Sequence, residues 1–581
     1  MKVKLIFPPL WAPTQPYLSV PSLVSFLLSK GIETSQVDFN LEMYEKILSG
    51  EFLNKCKEYL LSMPGDGQED DVLLRRVARF AAKNVERYKD MFRNNSAVDI
   101  KTYKSCMTFF KACMKIVHTI YPDEKLLFNE FKSKYNNRKS EEVMRCLIAN
   151  YEGTDDSLLS EILVDCVDNT DMDCDLLGIS IVGESQVIPA FALIGIIKRK
   201  YPDTKIVLGG PIVSRWTANS NTNMLLQFYD YIDFIIRGEG EYALYSLILH
   251  LMGQAKIEEI PQVVYRRIDG TLQINPDGKP VDINELPPPV FNKNDIPRYF
   301  MPAPILPLLS NRGCYWGKCT FCDHSFIYNN VFRKKSAEGV LREMIHLQTE
   351  YNVSHFQFHD EAMLPSDMDA ISRIILENGL SVKWASHARL DKKMTPDLFK
   401  AAYNAGLRAL YLGLESINAR VSLLMRKGID VSGTKEILEN AARAGIFIHL
   451  FYIRGFPGET SLEFKETADF ILENKSIIGS AGGGEFSLGK HSPIAFEPEK
   501  YGLKICENSE DLSLVHKFVK IDQIGEGDKK EEGEAKDAEL CKFCYGHLDL
   551  DVSSVLRDHW MAVDWNTIIN PAPQEKLKSI V

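Results

Sequence analysis

The fold is decided by Ile305-Leu306-Pro307-Leu308-Leu309-Ser310-Asn311-Arg312-Gly313-Cys314-Tyr315-Trp316-Gly317-Lys318-Cys319-Thr320-Phe321-Cys322. A short apolar run ends in a polar loop that carries three cysteines. Beyond it the sequence alternates: helical spacing over Glu338–Glu350, Asp367–Glu377, Pro396–Ala405, Thr434–Ala444 and Ser461–Glu473, short apolar runs at His355–His359, Val382–Ala388, Ala409–Leu414 and Phe447–Ile453. Strands interleaved with amphipathic helices make parallel βα units. Five or six such units predict an incomplete parallel barrel, a partial (β/α)6 barrel over residues 304–490. Such barrels do their chemistry where strands end and loops begin, and the cysteines lie there.

Toward the N-terminus, residues 256–303 read as a connector with a small β element, with Pro287-Pro288-Pro289 and an Asp269-Gly270 turn between strand-like runs. Before it, residues 1–255 alternate in the same way. Val3–Phe7 runs into Pro8-Pro9, and Pro21–Ser29, Gln36–Phe39, Leu176–Val182, Phe191–Lys200, Lys205–Leu208 with Gly209-Gly210, and Tyr231–Ile236 with Arg237-Gly238-Glu239-Gly240-Glu241 follow. This predicts an α/β, doubly wound, Rossmann-like domain. Residues 41–172, rich in Lys, Glu, Arg and Leu at helical spacing, interrupt it as a helical insertion. Residues 491–581 are expected to form a small C-terminal cap with a mobile acidic loop at 521–540, which holds eight acidic residues and three glycines.

At 581 residues the chain is about four times the ~150-residue prior for one domain. Its 45% hydrophobic and 25% charged residues exclude global disorder and collagen-like composition. A net charge of -11 gives no bulk attraction to nucleic acid, and none is expected as a partner. No apolar run nears the ~18 residues of a membrane helix, and the first residues lack a signal-peptide h-region, so a cytoplasmic protein without a membrane span is expected. Most of the twelve cysteines are scattered singly, which argues against a disulfide framework.

Three thiolates on one loop ligate three corners of a metal cluster and leave a fourth corner open. Their softness selects iron-sulfur or zinc, and a closed zinc site with His324 as fourth ligand stays open on spacing alone. A second, weaker metal candidate is Cys541-Lys542-Phe543-Cys544, with His547 nearby.

A cysteine triad after the first strand of a partial barrel, with Phe321 before the last cysteine, resembles the radical S-adenosylmethionine (radical SAM) superfamily. The common spacing there is C-x3-C-x2-C, and this chain has one residue more in the first gap. The resemblance implies a [4Fe-4S] cluster on Cys314, Cys319 and Cys322. It also implies SAM contacts from Phe321, from Asp360 and Glu361 after the second strand, from Arg389 after the third and from Glu415 and Ser416 after the fourth. Gly455 and Pro457, in Arg454-Gly455-Phe456-Pro457-Gly458-Glu459-Thr460, would lie beside the adenine; an ordinary turn and helix start is the bland reading of the same residues. Arg312, Lys318 and Arg333 are the expected cations near the cluster.

The first domain, placed before such a barrel, resembles the cobalamin-binding domain of cobalamin-dependent radical SAM enzymes. Pro9, Ser180, Gly209, Gly210, Gly238 and Glu239 map onto its cleft. Pro8 to Pro16 contains no histidine, so the cobalt is expected to lack a protein histidine below it. The resemblance implies a methyltransferase acting on an unactivated carbon of a peptide or small natural product, supplied with electrons by a flavodoxin or ferredoxin type of donor. The bulky Cys-Tyr-Trp-Gly start resembles maturases of ribosomally made peptides. Radical rearrangement, cyclisation or oxidation, and a non-catalytic cobalamin-binding sensor, are the alternatives.

Overall fold

In the computed structural model, residues 1–64, 69–93, 100–126, 131–218 and 222–521 are described. Cys541, Cys544 and residues 522–540 of the acidic stretch lie outside them. The described residues form two compact units, Met1–Pro304 joined by Ser509–Leu514, and Ile305–Asn508 joined by residues 515–521.

The first unit is built on seven strands: β1 (Val3–Phe7), β2 (Thr34–Asp38), β3 (Leu176–Ser180), β4 (Lys205–Gly209), β5 (Phe234–Ile236), β6 (Val263–Arg266) and β7 (Leu272–Ile274). Their order is β2-β1-β3-β4-β5-β6-β7. The first five are parallel, and β6 and β7 add antiparallel. All five residues of β1 are buried, as expected of a strand covered on both faces. The strand order reverses between β1 and β3, and in open α/β sheets the ligand crevice opens at that switch point, beyond the carboxyl ends of the strands. The stretch read as a connector therefore supplies the last two strands of the sheet.

Between β2 and β3 lie six helices, Phe39–Ile47, Gly50–Ser62, Glu69–Phe92, Ile100–Ile120, Ser140–Glu152 and Leu158–Asp168. The helix Ser140–Glu152 packs on Val187–Lys200, whose residues from Val187 to Ile197 are all buried. A helix apolar on every side needs cover on both sides, and the insertion supplies the outer one. Ser140–Glu152 has no side-chain cap of its own; Asp511, from the far end of the chain, accepts from Ser140 N at 2.8 Å and from Ser140 Oγ. Leu512 accepts from Trp216 Nε1 at 2.9 Å, so residues 509–514 are stitched into this unit.

The second unit is a six-stranded parallel sheet in sequential order, β8 (Ile305–Leu308), β9 (His355–Met363), β10 (Lys383–Arg389), β11 (Leu407–Glu415), β12 (Phe447–Arg454) and β13 (Ser480–Glu485). One or two helices follow each of the first five strands. The partial (β/α)6 barrel is thus present, and its sixth strand is the glycine-rich Ser480-Ala481-Gly482-Gly483-Gly484-Glu485. Beyond it, Leu503–Ile505 pairs antiparallel with Phe518–Lys520, and Leu488–Gly489 with Val515–His516. Among the described residues no helix is long and apolar enough to cross a membrane.

Asp511→Ala removes the cap of Ser140–Glu152, a loss of about 1 kcal/mol for a helix N-terminus. Hydrogen exchange is expected to quicken at Glu141 to Met144 and to stay unchanged in β8–β12.

Candidate active site

The cysteine loop is fastened to the segment that follows β11. Thr320 N donates to Met425 O at 3.0 Å, Thr320 Oγ1 donates to Leu424 O at 3.2 Å, and Thr320 O accepts from Ile494 N at 3.0 Å. Trp316 Nε1 donates to Arg426 O at 2.8 Å. The indole lies so close to Gly428 that a Cβ there would stand 2.1 Å from the ring. Phe321 packs edge-on to Phe456 at 6.4 Å, within an apolar cluster of Val421, Met425, Phe486, Leu488 and Ile494. The extra residue in the first cysteine gap thus belongs to a loop docked through Trp316.

All three cysteines are half-buried. Burial pushes the Cys322 thiol up to about 12 and also raises Cys319, where Lys427 and Arg389 pull the other way. Among the described residues no three His, Cys, Asp or Glu side chains converge on a single metal ion. Its exposed imidazole turned toward Glu361, at 3.4 Å, His324 does not complete a zinc site. A four-iron cluster asks for less convergence, because its thiolates sit on separate irons. Half-buried soft donors with cations beside them fit such a cluster.

The other expected site residues divide into open and engaged. Arg389, at the end of β10, is buried and donates from Nη1 to Cys319 Sγ at 3.6 Å. Lys427 Nζ donates to Glu415 Oε1 at 2.8 Å, a buried ion pair, and Glu415 itself holds a left-handed φ of 63° at the end of β11. Asp360 does not stand free for an amino group. Its carboxylate accepts from Ser310 N at 2.7 Å, Asn311 N at 3.1 Å and Ser310 Oγ, and so fixes the exit of β8 toward the cysteines. Glu361, beside it, is half-buried and less committed. Ser416 is fully buried, shares a hydrogen bond with Thr467 Oγ1 at 3.2 Å and accepts from Asn418 N, so it builds the turn after β11. Gly455 N and Phe456 N donate to Glu459 Oε2 at 2.7 and 3.2 Å, and Thr460 with Glu463 forms a capping box, so this segment makes the turn and helix start of the bland reading. Pro457 is buried in that turn. Lys427-Gly428 follows β11 where the resemblance implies contacts to the ribose and sulfonium of SAM; the docking of Trp316 on Gly428 and the hold of Glu459 on Gly455 and Phe456 carry no such signal in the sequence.

In the first unit the loops after β1 and β3 are tied together. Gln186, fully buried, donates from Nε2 to Pro8 O at 2.7 Å and accepts from Val182 N at 2.9 Å and Gly183 N at 3.3 Å. Asn40 Oδ1 accepts from Leu10 N and Trp11 N at 3.0 and 2.9 Å, with Leu10 at φ 77°. Pro9 is buried in this loop. Ser180 Oγ lies 3.0 Å from Ser19 Oγ. Gly210 has φ 100°, and a Cβ there would meet Ile181 O at 2.4 Å; at Gly209 a Cβ would find only Ile236 O at 3.8 Å. Gly238 N donates to Ser214 Oγ at 2.9 Å, and Glu239 accepts from Val281 N at 3.1 Å. At Gly209 the absent side chain leaves backbone at the carboxyl end of β4 that a ligand can approach closely.

Residues 308–471 match the Radical SAM superfamily, so the second unit carries a radical SAM domain. An uncharacterized methyltransferase of Pyrococcus horikoshii, PH0819, is 26% identical over 302 residues, 51% of this chain and 64% of the relative. The cytidylyl-2-hydroxyethylphosphonate methyltransferase of Streptomyces wedmorensis is 25% identical over 305 residues, 45% of this chain and 55% of the relative. The matches thus span a little over half the length of these curated relatives. The radical S-adenosylmethionine methyltransferase TsrM from Kitasatospora setae, solved with cobalamin and a [4Fe-4S] cluster, superposes with a TM-score of 0.54 at 14% identity, covering 93% of this chain and 88% of its own. The chain therefore has the fold of a cobalamin-dependent radical SAM enzyme.

Burial raises the Asp360 carboxyl to about 7, and Glu459 likewise to about 7. Between about pH 4 and 7 the folded protein then holds protons that the unfolded chain has lost, so stability falls as pH rises through that window. Asp360→Asn keeps an acceptor for the two N–H groups and offers its amide to Ser310 Oγ. Its melting temperature is expected to fall less from pH 4 to 7 than that of the wild type, with Glu459 accounting for part of the remainder.

Proposed function

We propose that the chain is a cobalamin-dependent radical SAM methyltransferase that places a methyl group on an unactivated carbon of a small organic molecule. The observation that carries this reading is the cysteine loop, docked at the carboxyl ends of the barrel strands with Arg389 and Lys427 beside it. Cys314, Cys319 and Cys322 would hold the cluster. Glu361 and Glu415 are the candidates for the amino and ribose groups of SAM, and Phe321, Gly455 and Pro457 for its adenine. Pro9, Ser180, Gly209, Gly210, Gly238 and Glu239 would border the corrin and its tail. When bound, the cluster supplies the electron that opens SAM, and cobalamin supplies the methyl group.

The protein's own work is positioning and exclusion. Phe321, Phe456 and Phe486 close the loop's inner side against water. The Glu415–Lys427 ion pair gives each buried group its partner, where a lone charge would be costly. Trp316 is spent on Gly428 and on the Arg426 carbonyl, which removes the reason for linking the Tyr-Trp start to a peptide substrate. The Streptomyces wedmorensis relative, named for cytidylyl-2-hydroxyethylphosphonate, favours a small molecule. A one-electron donor, of flavodoxin or ferredoxin type, is required from outside.

Reconstituted anaerobically with iron, sulfide, hydroxocobalamin and a reductant, then given SAM, the protein is expected to form 5'-deoxyadenosine and S-adenosylhomocysteine, both read by mass spectrometry. Cys319→Ala should lose 5'-deoxyadenosine while keeping its circular dichroism. S-adenosylhomocysteine alone would mark methyl transfer without hydrogen abstraction. 5'-Deoxyadenosine alone would favour rearrangement, cyclisation or oxidation, and neither product, with cluster and cobalamin bound, would favour the sensor.

A further inference from the structure

Arg389 is 6% exposed and is held from several sides. Nη2 donates to Lys427 O, the guanidinium carbon lies 4.8 Å from the centre of the Trp316 ring and 6.0 Å from that of Tyr315, and Nη1 lies 3.6 Å from Cys319 Sγ. Lys427, the other cation nearby, already has a carboxylate in Glu415. Among the described residues no carboxylate pairs with Arg389. A buried guanidinium normally requires an anion, because taking a charge out of water is costly. Here the groups in reach are the Lys427 carbonyl, the Tyr315 side chain and the sulfur of Cys319.

We infer that Arg389 tunes the cluster's reduction potential through the Cys319 sulfur, holding it higher than the thiolate loop alone would set it. This rests on the reading of Cys314–Cys322 as a cluster loop. An electron added to the cluster makes it more negative, and a fixed cation stabilises the reduced state more than the oxidised one. A hydrogen bond to a ligating sulfur acts in the same direction, since it draws charge away from the iron; bonds to the sulfurs and net charge are recognised controls of these potentials. The guanidinium suits this because it stays charged, sits over the Trp316 ring and reaches both the carbonyl and the sulfur. Lys318 does not share the role: it sits over Trp316 at 5.1 Å and is exposed. In this proposal Arg389 is a positioning and tuning residue, where the resemblance implied a contact to SAM.

The test is a dye-mediated potentiometric titration of the reconstituted full chain, followed by electron paramagnetic resonance of the reduced cluster, with iron and sulfide content measured in parallel. Arg389→Gln is expected to shift the midpoint to a more negative potential, Arg389→Lys to shift it less, and Lys318→Gln to leave it in place. An Arg389→Gln midpoint equal to that of the wild type, at equal iron content, overturns the inference, as does an Arg389→Lys shift as large as that of Arg389→Gln. If Arg389→Gln takes up no iron, Trp316→Leu, which removes the plane against the guanidinium, should lower the midpoint, and an unchanged midpoint there is equally contrary. A wild type without a cluster overturns the functional reading instead, which separates the two failures.

Discussion

The contact of Trp316 with Gly428 and the Arg426 carbonyl is the constraint on which the barrel's site depends. It clamps a nine-residue loop, Cys314 to Cys322, whose three thiols would otherwise be free to wander, onto the short segment after β11. That segment also carries Lys427, and the clamp brings the Glu415–Lys427 pair and Arg389 into the same small volume as Cys319. A cluster loop fixed before any metal arrives loses less conformational freedom on ligation, which is the usual advantage of preorganisation.

The same device recurs in both units. At four strand ends a buried polar side chain spends itself on loop backbone: Asn40 on Leu10 and Trp11, Gln186 on Pro8, Val182 and Gly183, Asp360 on Ser310 and Asn311, and Glu459 on Gly455 and Phe456. Buried polar groups must find partners, and loops need something other than sheet pairing to fix them. Each residue satisfies both demands at once. The strained backbones at Leu10 and Glu415 sit at the carboxyl ends of β1 and β11, where overdetermined packing can hold them.

How much of this was legible in the sequence follows from which forces leave a local trace. Apolar runs such as Val3–Phe7 and Phe447–Arg454 announce themselves, and so does a cysteine triplet. The strand Ser480–Glu485 did not, because three glycines carry almost no β-propensity and its place is set by pairing with β12. Strands β6 and β7 were legible as a small β element around Asp269-Gly270, but not as the edge of the first sheet, because antiparallel pairing with β5 leaves no local trace. In the site, Asp360 and Ser416 were placed by motif yet turned out to hold backbone, because a motif gives a residue's address and not the partner its side chain takes. Lys427 and Arg389 came to Cys319 through tertiary packing across 70 residues of sequence or more, which no local pattern encodes.

The central claim is that Cys314, Cys319 and Cys322 hold a four-iron cluster with one iron open to SAM. The most direct measurement is the electron paramagnetic resonance spectrum of the reduced, reconstituted protein, recorded without and with SAM. The account predicts a [4Fe-4S] signal that changes when SAM is added and that is absent from a variant lacking all three cysteines. A cluster signal indifferent to SAM, or a protein that takes one zinc in place of iron and sulfide, would contradict it.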